Sequence, residues 1–152
     1  RLAASISQLI GSGPTCDRAC CTSGMSFRTS VIVASALANA ARYHQQLELA
    51  RAALLAARRR FPSSPRALGA LYLLGRVEES QEAGTAQAIA WYDEYLAHAP
   101  TGPLVGEALG RKMILTEKLE GSARARSVAQ EYLRRFPKGN YAGSARELVA
   151  AP

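Results

Sequence analysis

Residues 125–145 read ARSVAQEYLRRFPKGNYAGSA. Their apolar positions Ala125, Val128, Ala129, Tyr132, Leu133 and Phe136 step by 3, 1, 3, 1 and 3 residues. That spacing puts all six side chains on one stripe of an α-helix. Pro137 stops the helix, because its ring fixes φ and it has no N–H to donate. Gly139 and Asn140 tolerate a turn, and a second amphipathic run begins at Tyr141.

The same helix–corner–helix pattern occurs upstream. Shifting back by 75 residues gives ARAALLAARRRFPSSPRALGA at 50–70. Ala50, Arg51, Arg59, Arg60, Phe61, Pro62, Ala67 and Ala70 match Ala125, Arg126, Arg134, Arg135, Phe136, Pro137, Ala142 and Ala145. A copy between them, AIAWYDEYLAHAPTGPLVGEA, starts at Ala88 and keeps Tyr95, Leu96, Ala99, Pro100 and Ala108 on the same grid. The corner prolines Pro62, Pro100 and Pro137 lie 38 and 37 residues apart. A fixed period of this size with helical patterning predicts an all-α superhelix of about three helix pairs.

The pattern resembles the tetratricopeptide repeat. The small residue before each corner is Ala50, Ala88 and Ala125, and the first helices carry Leu37-Ala38, Leu74-Gly75 and Leu109-Gly110. Tyr95 and Tyr132 stand where the family motif has a small residue. The ending from Phe136 to Ala142 is similar to repeats of bacterial envelope proteins, of the outer-membrane assembly lipoprotein and Tol–Pal coordinator type. The Arg-rich second helices resemble the repeat region of deltaproteobacterial FecR-type regulators. This resemblance implies a bacterial cell-envelope or periplasmic location, with the cytoplasm as the alternative.

We therefore expect repeats at about 31–65, 66–103 and 104–140, with a capping helix at 141–150. The predicted helices are Val31–Ala41, Leu47–Phe61, Arg66–Glu79, Thr85–Ala99, Leu104–Lys118, Ser122–Phe136 and Tyr141–Ala150, with Ser122 as an N-cap. Phe61 and Phe136 are expected to be buried where each second helix meets the next repeat, and Trp91 and Tyr92 to be core residues.

Residues 1–30, rich in Gly, Ser, Thr and Cys from Gly11 onward, read as an irregular segment or linker. The first residue is Arg1, so we expect a fragment or a processed chain. We predict no signal peptide or lipobox there, and no apolar run long enough to span a bilayer. Cys16, Cys20 and Cys21 are an odd number of thiols, without a fourth ligand for tetrahedral zinc; disulfide and metal roles stay open beside an incidental one.

The net charge of +7 is uneven. Residues 1–76 carry ten Arg against Asp17 and Glu48, a balance of +8, and residues 77–152 carry nine Lys and Arg against ten acids, a balance of −1. Arg51, Arg58, Arg59, Arg60 and Arg66 form a candidate basic patch in the first repeat. Their plain explanation is a solvated helix C-terminus favoured by the helix dipole.

No phosphate loop, metal-ligand spacing or supported nucleophile is present, so we expect neither an enzyme nor a cofactor. The resemblance implies a protein–protein interaction scaffold that binds a peptide or partner domain on its concave face. Family groove positions fall on Ser35, Asn39 and Arg42, then Tyr72, Arg76 and Glu79, then Glu107 and Arg111. Arg76 and Arg111 favour an acidic segment. In the rival account, Glu79 and Glu107 neutralise them within the groove. Nucleic-acid or other polyanion binding is the alternative, supported by a pI near 9.8 and weakened by basic charge confined to one repeat without interleaved aromatics. A purely structural spacer or oligomerisation role is the third reading.

Overall fold

A computed structural model describes residues 46–151, apart from Ser63 and Glu82. The expected first helix at 31–41 and the thiols Cys16, Cys20 and Cys21 lie outside the described residues. Among the described residues six helices follow in order: α1 (Leu47–Arg60), α2 (Pro65–Glu79), α3 (Thr85–His98), α4 (Val105–Glu120), α5 (Ser122–Arg135) and α6 (Ala142–Ala150). There is no strand among the described residues. Each helix packs chiefly on the one before and the one after it.

The corners repeat in backbone geometry as well as in sequence. Phe61, Ala99 and Phe136 end their helices at φ −137°, −135° and −134°, with ψ 58°, 61° and 63°. The following proline drives this, since its Cδ excludes the α region for the preceding residue. Each of these residues still donates its N–H to the carbonyl four back: Ala57, Tyr95 and Tyr132. Each then accepts from the N–H three ahead, of Ser64, Gly102 and Gly139, at 3.0–3.1 Å. Pro65 fills the first turn of α2, where a missing N–H costs nothing.

The core runs along the array as three linked clusters. Ala50, Ala53 and Leu54 of α1 meet Ala70, Leu74 and Val77 of α2. Leu71 and Tyr72 of α2 meet Tyr92 and Tyr95 of α3 and Val105 and Ala108 of α4. Leu109 and Met113 of α4 meet Val128, Ala129 and Tyr132 of α5 and Leu148 of α6. Each helix pair buries its stripe against its neighbour, as a solenoid requires. Helix α6 ends this pattern: Arg146 and Glu147 are exposed at positions that align with the buried Leu109 and Gly110 of α4.

Two expectations need correction. Ser122 is the first helical residue of α5 rather than its N-cap. Gly121 occupies the cap at φ 87°, a left-handed conformation that favours glycine, and the Ser122 hydroxyl lies 3.4 Å from Glu117 Oε1. Phe61 and Phe136 are only half-buried. Both sit at the C-cap, where the backbone has left the helix, and the Phe136 ring packs at the margin of two core clusters rather than inside one. The buried aromatic lies one turn earlier, at Tyr95 and Tyr132 (2% and 1% exposed).

Those tyrosines explain the departure from the small residue of the repeat motif. The Tyr95 hydroxyl accepts the N–H of Leu104, and the Tyr132 hydroxyl accepts the N–H of Tyr141, both at 3.1 Å. Leu104 and Tyr141 are the N-caps of α4 and α6, so each tyrosine takes up a donor that the helix itself leaves unpaired. Glycine is required beside them, because a Cβ at Gly102 or Gly139 would come within 2.5 or 2.3 Å of the hydroxyl oxygen. At the first corner, the aligned residues are Ala57 and Ser64, so this hydroxyl contact is absent there.

Candidate functional face

Helices α2 and α4, with the head of α6, form the face that the family positions point to. Tyr72, Arg76 and Glu79 project from α2, and Glu107 and Arg111 from α4. Asn39 and Arg42 lie outside the described residues, as does Ser35. Glu79 is the hub. Arg111 Nη1 donates to its Oε1 and Oε2 at 2.9 and 3.0 Å, the Tyr92 hydroxyl donates to Oε2 at 2.9 Å, and Arg76 Nε lies 3.4 Å from Oε2. The two arginines of successive repeats therefore converge on one carboxylate.

Glu107 is engaged differently from the rival account. It accepts from the Tyr141 hydroxyl at 3.0 Å and from Asn140 Nδ2 at 3.1 Å. Glu79 alone thus meets both arginines, leaving one more positive than negative charge at that point. Burial opposes the charge on Arg111, but the Glu79 carboxylate and the nearby Tyr72 and Tyr141 hydroxyls outweigh it, so its guanidinium is held protonated more firmly than usual. Arg111 Nε is buried without a hydrogen-bond partner.

Tyr92, Tyr141 and Asn140 complete this face, though the groove pattern did not select them. Tyr92 is wholly buried, and its ring lies 5.7 Å from that of Tyr72. It packs over Gly75, where a Cβ would approach within 2.5 Å of the ring. In the next repeat, the residue aligned with Tyr92 is Ala129, and the ring above Gly110 comes instead from Tyr141. The sequence signal was a hole: a small residue at Ala129 facing a glycine at Gly110.

Burial raises Tyr141 first of all; Arg111 pulls it down, and the bond to Glu107 pushes it up again, to about 12. Tyr92 is raised further, by burial and then by Glu79. Folding favours the neutral phenol in both cases. The stability this contributes is complete below the unfolded value near 10 and is lost as pH rises from there toward the folded value. We expect denaturation midpoints to be level up to about pH 9.5 and to fall between about 10 and 12. Tyr141→Phe should make that fall shallower; an unchanged profile would remove Tyr141 from the explanation.

The candidate basic patch is divided by ion pairs. Arg51 Nε meets the buried Glu78 at 2.8 Å, and Arg58 Nη2 meets Glu94 at 2.6 Å. Arg59 and Arg60 are exposed, Arg60 with its guanidinium 5.6 Å from the Phe61 ring centre. The Arg66 side chain lies outside the described ones. Among the described residues, no three His, Cys, Asp or Glu side chains gather as a metal site, and no helix is long and apolar enough to cross a membrane.

Corner geometry, sequential packing and linked cores define an all-α helical-repeat protein. Residues 35–103 match the tetratricopeptide-repeat family, and the fold is tetratricopeptide-like. Repeats of this family generally mediate protein–protein interaction. No curated protein matches the chain.

Proposed function

We propose that the chain is a non-catalytic interaction module that takes a carboxylate-bearing peptide segment on the face of α2, α4 and α6. The observation that carries this reading is the convergence of Arg76 and Arg111 on Glu79. Two guanidinium groups share one carboxylate there, and Arg76, partly exposed, lies 3.4 Å from it without a hydrogen bond, so its donors can turn to a second carboxylate. Glu79 acts as an internal competitor for such a ligand. The location implied by the resemblance, a bacterial envelope or periplasm, belongs to the same reading and is tested by cell fractionation.

The affinity test uses a peptide array with acidic, neutral and basic segments. Arg76→Ala with Arg111→Ala should weaken acidic-peptide binding at least tenfold, about 1.4 kcal/mol. Glu79→Gln should strengthen it, because the competing charge is gone while the chain length is kept. Equal binding by wild type and both variants would overturn the reading and favour a spacer or oligomerisation role.

A further inference from the structure

The three corners line one edge of the array. Arg58 at the end of α1 reaches Glu94 near the end of α3, and Arg135 at the end of α5 donates to the Pro100 carbonyl of the second corner. Acids near this edge are occupied: Glu94 by Arg58, Glu131 by Arg135, and Glu107 by Tyr141 and Asn140. Arg59, Arg60, Arg134 and Lys138 remain exposed, and none of them has a carboxylate within ion-pair distance among the described residues. The opposite edge differs, because Glu117 and Glu120 stand there among Lys118 and Arg124. Charge counted along the chain put the basic excess in the first repeat. Among the described residues, exposed cations without an ion pair stand at the third corner as well as the first.

We infer that this corner edge docks the phosphate backbone of double-stranded nucleic acid without reading its sequence. The cations stand as two pairs at the first and third corners, the ends of a row that suits a linear polyanion bridging them. Helices pack about 8–10 Å apart, so the row spans roughly 20 Å. A duplex presents a charge every ~1.7 Å of axis over that length. Three of the four cations are arginines, whose planar fork matches phosphate oxygens. Single strands fit less well: the edge offers no free ring for base stacking, since Phe61 and Phe136 are half-buried with Arg60 and Arg135 over them. A bilayer also fits less well, because among the described residues the exposed large apolar side chains, Ile114 and Leu119, belong to α4 and not to the corners.

The test is fluorescence anisotropy of a random-sequence DNA duplex with the full chain. Four phosphate contacts predict a slope of about −3 to −4 in log affinity against log salt, or roughly hundredfold weaker binding at 200 mM than at 50 mM. The variant Arg59→Gln, Arg60→Gln, Arg134→Gln, Lys138→Gln should lose at least tenfold at 50 mM salt. The opposite-edge variant Lys118→Gln, Arg124→Gln should bind as wild type, and so should Arg76→Ala with Arg111→Ala, which separates this edge from the peptide face. All these side chains are at least partly solvent-exposed, and circular dichroism verifies that each variant stays folded. Three outcomes would overturn the inference: no duplex binding, equal loss in both edge variants, or binding confined to vesicles containing phosphatidylglycerol.

Discussion

Replacing Tyr132 by alanine is expected to cost about 3–5 kcal/mol of stability, measured by chemical denaturation. The side chain is 1% exposed and lies in the cluster shared by α4, α5 and α6. Its ring contacts those of Phe136 and Tyr141, at 5.6 and 6.0 Å between centres. Its hydroxyl holds the first free N–H of the last helix. Tyr132→Phe separates the two contributions: it keeps the ring and should cost about 1 kcal/mol for the lost hydrogen bond. Phe136→Ala, half-buried at the cap, should cost less than Tyr132→Ala, about 1–2 kcal/mol. A larger loss at Phe136 than at Tyr132 would mean that the corner is anchored at the cap after all.

The second large effect is expected at Gly110. A Cβ there would lie 2.2 Å from the Tyr141 ring, far inside contact distance. Gly110→Val should therefore push the ring off α4, break its bond to Glu107 and loosen the head of α6. Overpacking of this kind costs about 1–3 kcal/mol, offset in part by a helix propensity better than that of glycine. We expect a net loss of about 2 kcal/mol. Adding Tyr141→Ala removes the clash, so the pair should lose less than the sum of its single variants. Strict additivity in that cycle would mean that the two residues do not compete for the same space.

Both effects follow from features that the repeat alignment does not carry. Gly75 and Gly110 align with each other, yet the ring over each comes from a different place: Tyr92 in the partner helix and Tyr141 in the next repeat. Side-chain size is the reason: Tyr92 aligns with the small Ala129, and Tyr141 aligns with Leu104, so the large ring comes from opposite sides in the two repeats. The groove was legible only as a set of residue types at family positions. Its working arrangement, with Glu79 between two arginines and Glu107 given to Tyr141 and Asn140, depends on side chains from helices some 30 residues apart in sequence.

The sequence by itself determined what is local. Apolar stripes at helical spacing placed all six described helices to within two residues of the expected ends, since burial of a stripe acts over a single turn. Pro62, Pro100 and Pro137 determined the corners, because each proline restricts the residue before it whatever else surrounds it. The tertiary structure decided which charges meet and which rings fill which gaps. Ion pairs such as Arg58 with Glu94 and Lys112 with Asp93 link different helices. Coulomb attraction and close packing depend on separation in space. A repeat period fixes that separation only along the array axis, leaving the rotation and stagger of each helix to the packing itself.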